Sequence, residues 1–233
     1  MAKTYVLVHG AWHGGWCWRS VADLLERAGH KVYAPTLTGL ADRSHLATPA
    51  VDLTTHITDV VNLIKWEQLS DVVLCGHSYG GMVITGVAEQ MQPAIAAIVF
   101  LDAFVPQNGE AVVELTSAAV HDAIEAARKR NDFRLPPRPA EAFGVLPQHR
   151  AWVDGKCTPQ PIATFTEKIK AIGAVERIPR KLYIRAASYV NPGFDKALAR
   201  VKADPSWRTY DAPCGHDVMV DAPDWLAKLL LEA

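Results

Sequence analysis

The segment that most constrains this chain is residues 71–81, where the apolar run Asp71-Val72-Val73-Leu74-Cys75 leads into Gly76-His77-Ser78-Tyr79-Gly80-Gly81 and then into a helical pattern. A G-x-S-x-G sequence between a strand and a helix forces the serine into a strained backbone position. Its hydroxyl then projects above the sheet edge, and the glycines on either side remove side chains that would clash in so tight a turn. A Gly-rich turn with an incidental serine is the plainer reading, and the strand before and the helix after speak against it.

The rest of the chain alternates in a way that suits this turn. Short β-branched runs at 5–8, 31–34, 71–75, 95–101, 181–185 and 208–210 are separated by amphipathic stretches at 16–28, 53–66, 79–91, 194–203 and 224–232. That order builds a mostly parallel sheet of about six strands with helices on both faces. The strands are apolar almost throughout, as strands covered on both faces must be. One long excursion, residues 106–178, breaks the alternation. It carries helical material at 111–130 and 162–171, separated by Leu135-Pro136-Pro137-Arg138-Pro139, with no convincing strand. The division expected is a core of residues 1–105 and 179–233 with a helical cap, 106–178, inserted over the end of the sheet. A packing appendage is the alternative, but such excursions often cover sites.

Composition removes several function classes. With 24 Lys+Arg against 25 Asp+Glu in 233 residues, the net charge is −1, and the densest basic run, Arg128-Lys129-Arg130, is short. No basic surface suited to a nucleic-acid backbone is expected. The apolar stretch around 95–105 is broken by Asp102, so no membrane span is expected. The N-terminal run reads as a first strand rather than a signal peptide. Cys17, Cys75, Cys157 and Cys214 have no C-x-x-C spacing, which argues for a reducing cytoplasmic setting and against structural zinc.

A nucleophilic serine needs a base and an oxyanion site. Of the nine histidines, His216 sits in Pro213-Cys214-Gly215-His216-Asp217, between the last strand and the last helix, where a loop at the carboxyl end of the sheet can reach Ser78. The first strand ends in His9-Gly10-Ala11-Trp12-His13-Gly14-Gly15-Trp16. The backbone N–H groups of Ala11 and Tyr79 are the oxyanion donors expected from these two turns. His9 and His13 are four residues apart but lie in a turn, without the helix and glutamate of an H-E-x-x-H zinc site. The same turn lacks G-x-G-x-x-G, so a dinucleotide fingerprint fails. No metal and no cofactor are expected.

Together, Val6-Leu7-Val8-His9-Gly10-Ala11-Trp12-His13-Gly14-Gly15-Trp16, Gly29-His30-Lys31-Val32 and Gly76-His77-Ser78-Tyr79-Gly80-Gly81-Met82 resemble the α/β-hydrolase superfamily. Within it the likeness is to the branch of plant salicylate-binding methyl esterases and hydroxynitrile lyases and their bacterial hydrolase relatives. It spans essentially the whole chain, is strongest to Leu101 and around His216, and is loose in the cap. The resemblance implies the α/β-hydrolase fold, a Ser-His-acid triad and ester hydrolysis through an acyl-enzyme. Two departures matter. The lyases carry Thr where Gly10 stands and Lys where Asp217 stands, so esterase chemistry is favoured over cyanide elimination. The family usually supplies its acid from the loop after the strand at 181–185, yet that loop here reads Ala186-Ala187-Ser188-Tyr189-Val190-Asn191, with no carboxylate.

Asp102, at the carboxyl end of the strand 95–101, is the candidate acid. The plant esterases have a small apolar residue there, while the distantly related haloalkane dehalogenases place their acid there. A cap for backbone N–H groups is the alternative role for Asp102. Asp217 adjoins His216, but adjacent side chains usually diverge, and Asp195 is explained as an N-cap. The residues assigned are thus Ser78, His216 and Asp102, with Ala11 and Tyr79 at the oxyanion and Trp12, Phe104, Phe143 and Trp152 against substrate. Phe133 belongs to the same aromatic set, whereas Trp16 and Trp18 read as core. The expected partner is a small-molecule ester, and a homodimer stays open. Amide or carbon–carbon bond hydrolysis, lyase activity on the same triad, and a small-molecule-binding protein with weak turnover are the alternatives.

Overall fold

In a computed structural model describing residues 2–233, the chain forms a central sheet of six parallel strands. In chain order the elements are β1 (Thr4–Val8), α1 (Arg19–Arg27), β2 (Lys31–Tyr33), α2 (Leu53–Trp66), β3 (Val72–His77), α3 (Gly80–Met91) and β4 (Ile95–Leu101). Then come α4 (Val112–Leu115), α5 (Ala118–Lys129), β5 (Arg134–Leu135), α6 (Pro147–Asp154), β6 (Gln160–Pro161) and α7 (Ala163–Thr166). The chain closes with β7 (Arg180–Ala186), α8 (Pro192–Lys202), β8 (Trp207–Ala212), α9 (Val218–Asp221) and α10 (Pro223–Glu232). The sheet order is β2-β1-β3-β4-β7-β8.

Strand alternation decides which face each side chain joins. Val6 and Val8 of β1, Leu74 of β3 and Phe100 of β4 pack with Ile57 and Val60 of α2, Val83 and Val87 of α3 and Phe194 of α8. Their neighbours Tyr5, Leu7, Val73, Cys75 and Val99 face the other way, onto Leu25 of α1 and Leu226 and Leu230 of α10. Each fully buried branched side chain contributes about 1.5–3 kcal/mol, so both layers are firmly held. Helix α2 starts where Asp52 accepts from Thr55 N at 2.8 Å, an N-cap that contributes about 1 kcal/mol.

The segment between β4 and β7 departs most from the sequence pattern. The helix expected over 111–130 is two helices, because Thr116 and Ser117 are extended and Ser117 is the N-cap of α5. The one expected over 162–171 ends at Thr166. Glu167 turns outward there to accept from Thr54 N at 2.7 Å and Thr54 Oγ1 at 2.6 Å at the start of α2. Helix α6 escaped the periodicity because only Val153 of it is buried, although Pro147 at its first position is a start signal. Strands β5 and β6, also unexpected, form an antiparallel two-residue ladder. Side chains of this segment, among them Val112, Phe143 and Phe165, join the same apolar cluster as the β1–β4 face.

Candidate active site

The carboxyl ends of five of the parallel strands, β1, β3, β4, β7 and β8, bring their loops together. Strand β3 runs into Ser78, whose φ of 54° lies in the left-handed region at a cost of about 1–3 kcal/mol. The turn is held by Ser78 N–H donating to Leu101 O at 3.1 Å, and by Ser78 O accepting from Gly81 N at 3.0 Å and Phe104 N at 3.2 Å. A Cβ on Gly76 would stand 2.6 Å from Gly80 O, and one on Gly80 would stand 2.8 Å from Val8 O. Both glycines are therefore required by close backbone approach, one inside the turn and one against the end of β1.

Asp102 follows β4 with φ of 41°, and its side chain is fully buried. Its Oδ1 accepts from Arg185 Nη1 at 2.6 Å and from Ala186 N at 3.0 Å. Its Oδ2 accepts from His216 Nδ1 at 2.6 Å. In a neutral ring a proton on Nδ1 leaves Nε2 as the acceptor nitrogen. His216 is stacked against Tyr189 at 4.6 Å and Phe194 at 5.5 Å, both contributed by the segment after β7. Its backbone N–H donates to Phe143 O at 2.9 Å, and His77 Nε2–H donates to its carbonyl at 3.0 Å.

Ser78 and His216 line one cavity of about 330 Å³. Ala11, Trp12, Tyr79, Phe104 and Phe143 line it as well. Neither the Ala11 nor the Tyr79 backbone N–H donates to another group among the described residues. Tyr79 is anchored beneath by its hydroxyl, which donates to His56 Nδ1 at 2.9 Å, while His56 Nε2–H donates to Thr38 O at 2.8 Å. Burial pushes His56 down to about 4, consistent with this neutral form. Trp12 has φ of 65° and is held by its N–H donating to Gln160 Oε1 at 2.8 Å and its indole N–H to Leu135 O at 3.0 Å.

Two aromatic assignments need correction. Trp152 does not reach the cavity: it is 43% exposed and stands edge-on to Trp16 at 4.9 Å, because α6 buries the neighbouring Val153 and turns Trp152 outward. Phe133 is not on the cavity lining either. Asp195 is not an N-cap. Asn191 fills that role by accepting from Gly193 N and Phe194 N, while Asp195 accepts from Arg185 Nε at 2.9 Å.

Sequence reasoning misses Arg185 and sets aside His13 and Asp217, all three of which stand at this centre. Arg185, at the end of β7, offers a signal in hindsight: a cation beside the strand that carries a buried acid. His13 Nε2 lies 3.0 Å from Asp217 Oδ2. Ligand-capable atoms of His77, His216 and Asp217 fall within 4.8 Å of one another. One nitrogen of each ring is committed, His77 Nε2–H to the His216 carbonyl and His216 Nδ1 to Asp102, while His77 Nδ1 has no partner.

The pattern of the alpha/beta hydrolase family matches residues 5–229. The chain belongs to the alpha/beta hydrolase family. This hydrolase is 43% identical over 235 residues to a carbendazim hydrolyzing esterase of Nocardioides sp. (strain SG-4G), covering 97% of each chain. It is 41% identical over 110 residues to salicylic acid-binding protein 2 of Nicotiana tabacum, covering 46% of this chain and 41% of that one. Its fold superimposes on an extracellular alpha/beta-hydrolase from a Paenibacillus species with a TM-score of 0.87 at 26% identity, covering 99% and 98% of the two chains. No helix among its described residues is long and apolar enough to cross a membrane.

Proposed function

We propose that this alpha/beta hydrolase is a carboxylesterase that cleaves a small ester through an acyl-enzyme on Ser78. The observation that carries the reading is the 2.6 Å bond from His216 Nδ1–H to Asp102 Oδ2, which leaves Nε2 of the neutral ring able to accept a proton. Ser78 Oγ attacks the ester carbonyl carbon and its proton passes to His216 Nε2. The carbonyl oxygen, now anionic, takes the N–H groups of Ala11 and Tyr79. The bond to the alkoxy oxygen then breaks, and His216 returns the proton to the leaving alcohol. Water attacks the acyl-enzyme by the same route, releasing the acid and restoring Ser78.

Residues 106–178 act in this reading as a cap, since Val112, Leu115, Phe143 and Phe165 supply apolar walls of the cavity above Ser78. The substrate is a small ester with an apolar acyl or aryl part. Arg138 is the one permanently charged side chain on that lining, with its guanidinium 5.4 Å from the centre of the Phe143 ring. It suits an acceptor-bearing or anionic substituent at the far end of the substrate.

Labelling with a fluorophosphonate tests the nucleophile. Rapid, stoichiometric modification mapped to Ser78, and lost in folded His216→Ala, is expected. Folded parent protein that remains unlabelled would overturn the reading, as would hydrolysis of p-nitrophenyl acetate at an equal rate by Ser78→Ala.

A further inference from the structure

A second histidine–carboxylate pair lies behind the loop that carries Ala11. His13 and Asp217 are 2% and 0% exposed, with His13 Nε2 3.0 Å from Asp217 Oδ2. The other ring nitrogen, Nδ1, is 2.7 Å from Ala11 O. A backbone carbonyl only accepts, so Nδ1 carries a proton. An ionised carboxylate also only accepts, so Nε2 carries one too, and the ring is an imidazolium. The titration directions agree. Burial pushes His13 down, but the charge and hydrogen bond of Asp217, with the Ala11 carbonyl, outweigh it and the net shift is upward. Burial pushes Asp217 up, yet the charge and hydrogen bond of His13, with His77 and His216 adding to them, carry it well below the carboxylate range.

The chain positions of the two residues give the pair a purpose. His13 is two residues past Ala11, and Asp217 is the residue after His216. We propose that His13 and Asp217 form a buried ionic latch that fastens the Ala11 loop to the His216 loop, and that both are positioning residues for ester hydrolysis. This inference rests on the reading of Ser78, His216 and Ala11 given above.

Three features make the latch more than a general brace. It grips the Ala11 carbonyl directly, which fixes the Ala11–Trp12 peptide unit next to the one that carries the Ala11 N–H. The next residue, Trp12, is in the left-handed region, and its other anchors, Gln160, Leu135 and Thr158, all belong to the segment between β4 and β7. Asp217 is thus the tie from this loop to the loop of His216. Finally, Asp217 Oδ1 has no hydrogen-bond partner, and His77 Nε2 lies 3.9 Å from it. The carboxylate therefore depends on His13 for its strong hydrogen bond. The other groups facing the pair are the Trp16 ring, stacked on His13 at 5.3 Å, with Cys17 and Cys157 close enough to feel the Asp217 charge. The pair as a whole is neutral, so its effect on His216 is geometric rather than a shift of net charge.

Two measurements test the latch. Nitrogen-15 NMR of histidine-labelled parent protein at pH 7.5 should show one histidine with both ring nitrogens protonated, and Asp217→Asn should remove that signature. A parent spectrum without such a histidine overturns the latch whatever the variants do. In the second, His13→Gln, Asp217→Asn and the double variant are assayed with p-nitrophenyl acetate. Each single variant should lose about 10- to 100-fold in kcat, with KM within about twofold, since a displaced oxyanion donor weakens transition-state rather than ground-state binding. The double variant should be no slower than the worse single one, because both changes open the same latch. Folded single variants with parental kcat, even if less stable to heat, would make the pair a structural brace only and overturn the proposal. Ser78→Ala serves as the separate control: if it turns over like the parent, the esterase reading fails, while the NMR result still judges the ion pair.

Discussion

Replacing Asp102 with asparagine should disable the enzyme by trapping one histidine in the wrong tautomer. Arg185 Nη1 and Ala186 N both donate to Asp102 Oδ1, and neither can accept. The asparagine amide must therefore turn its oxygen toward them and present its NH2 group to His216 Nδ1, now 2.6 Å from the carboxylate. That nitrogen then has to accept, which moves the ring proton to Nε2, where a base for Ser78 is needed. Loss of the correct tautomer, and of the charge that stabilises the imidazolium, is worth about 10³- to 10⁴-fold in rate. At about 1.36 kcal/mol per decade this is roughly 4–5.5 kcal/mol of transition-state stabilisation. The fold should survive. Arg185 keeps Asp195 and the carbonyls of Ala186 and Tyr189, so the expected cost in stability is about 1–3 kcal/mol. The assay is kcat/KM for p-nitrophenyl acetate in the parent, Asp102→Asn and Ser78→Ala, with circular dichroism to establish folding. A folded Asp102→Asn within tenfold of the parent would refute the assignment. An Asp217→Asn variant slower than Asp102→Asn would move the acid to the other carboxylate.

Other outcomes follow from the same geometry. Burial holds His9 at about 3 and His56 at about 4, both far below the 6.5 of an unfolded histidine. Between those values the unfolded chain binds more protons, so stability falls as pH drops from about 6.5 toward 4. His56 alone accounts for roughly 3 kcal/mol of the loss. Urea midpoints measured from pH 7 to 4.5 should decline steadily, and a flat profile would contradict the buried neutral rings. His13, whose pKa is raised, has the opposite sign: its contribution is complete below 6.5 and is lost as pH rises through its folded value. Arg138→Met should lower kcat/KM about fivefold for an aryl ester carrying a distal carboxylate and leave p-nitrophenyl acetate unchanged, as expected for one exposed charged contact. Equal loss on both esters would remove Arg138 from substrate choice.

Some of this centre is written locally in the chain. The G-x-S-x-G run is legible because strand, strained turn and helix are consecutive, so neighbouring residues alone carry the constraint. The parallel sheet is legible for the same reason: the inner strands β1, β3 and β4 bury both faces and show it as apolar runs, while the edge strands β2 and β8 are partly exposed. Asp102 stands out because a polar residue ends such a run while the 186–191 loop offers no carboxylate. The segment between β4 and β7 was less legible. Its helices are short and half-exposed, and one of them stops where Glu167 leaves to cap α2, a partner 113 residues away in sequence. Local periodicity has no means of registering such a bond.

The sequence by itself therefore determined the sheet, the faces it buries and the turn that displays Ser78, since each depends on residues that are neighbours along the chain. What the tertiary structure alone decided is how charges pair. Asp102 and His216 are 114 residues apart, Asp102 and Arg185 83, and His13 and Asp217 204. Adjacent aspartate and histidine, Asp217 and His216, take different partners, His13 and Asp102. A buried carboxylate must find a donor in whatever the fold brings beside it, and that choice is made in space.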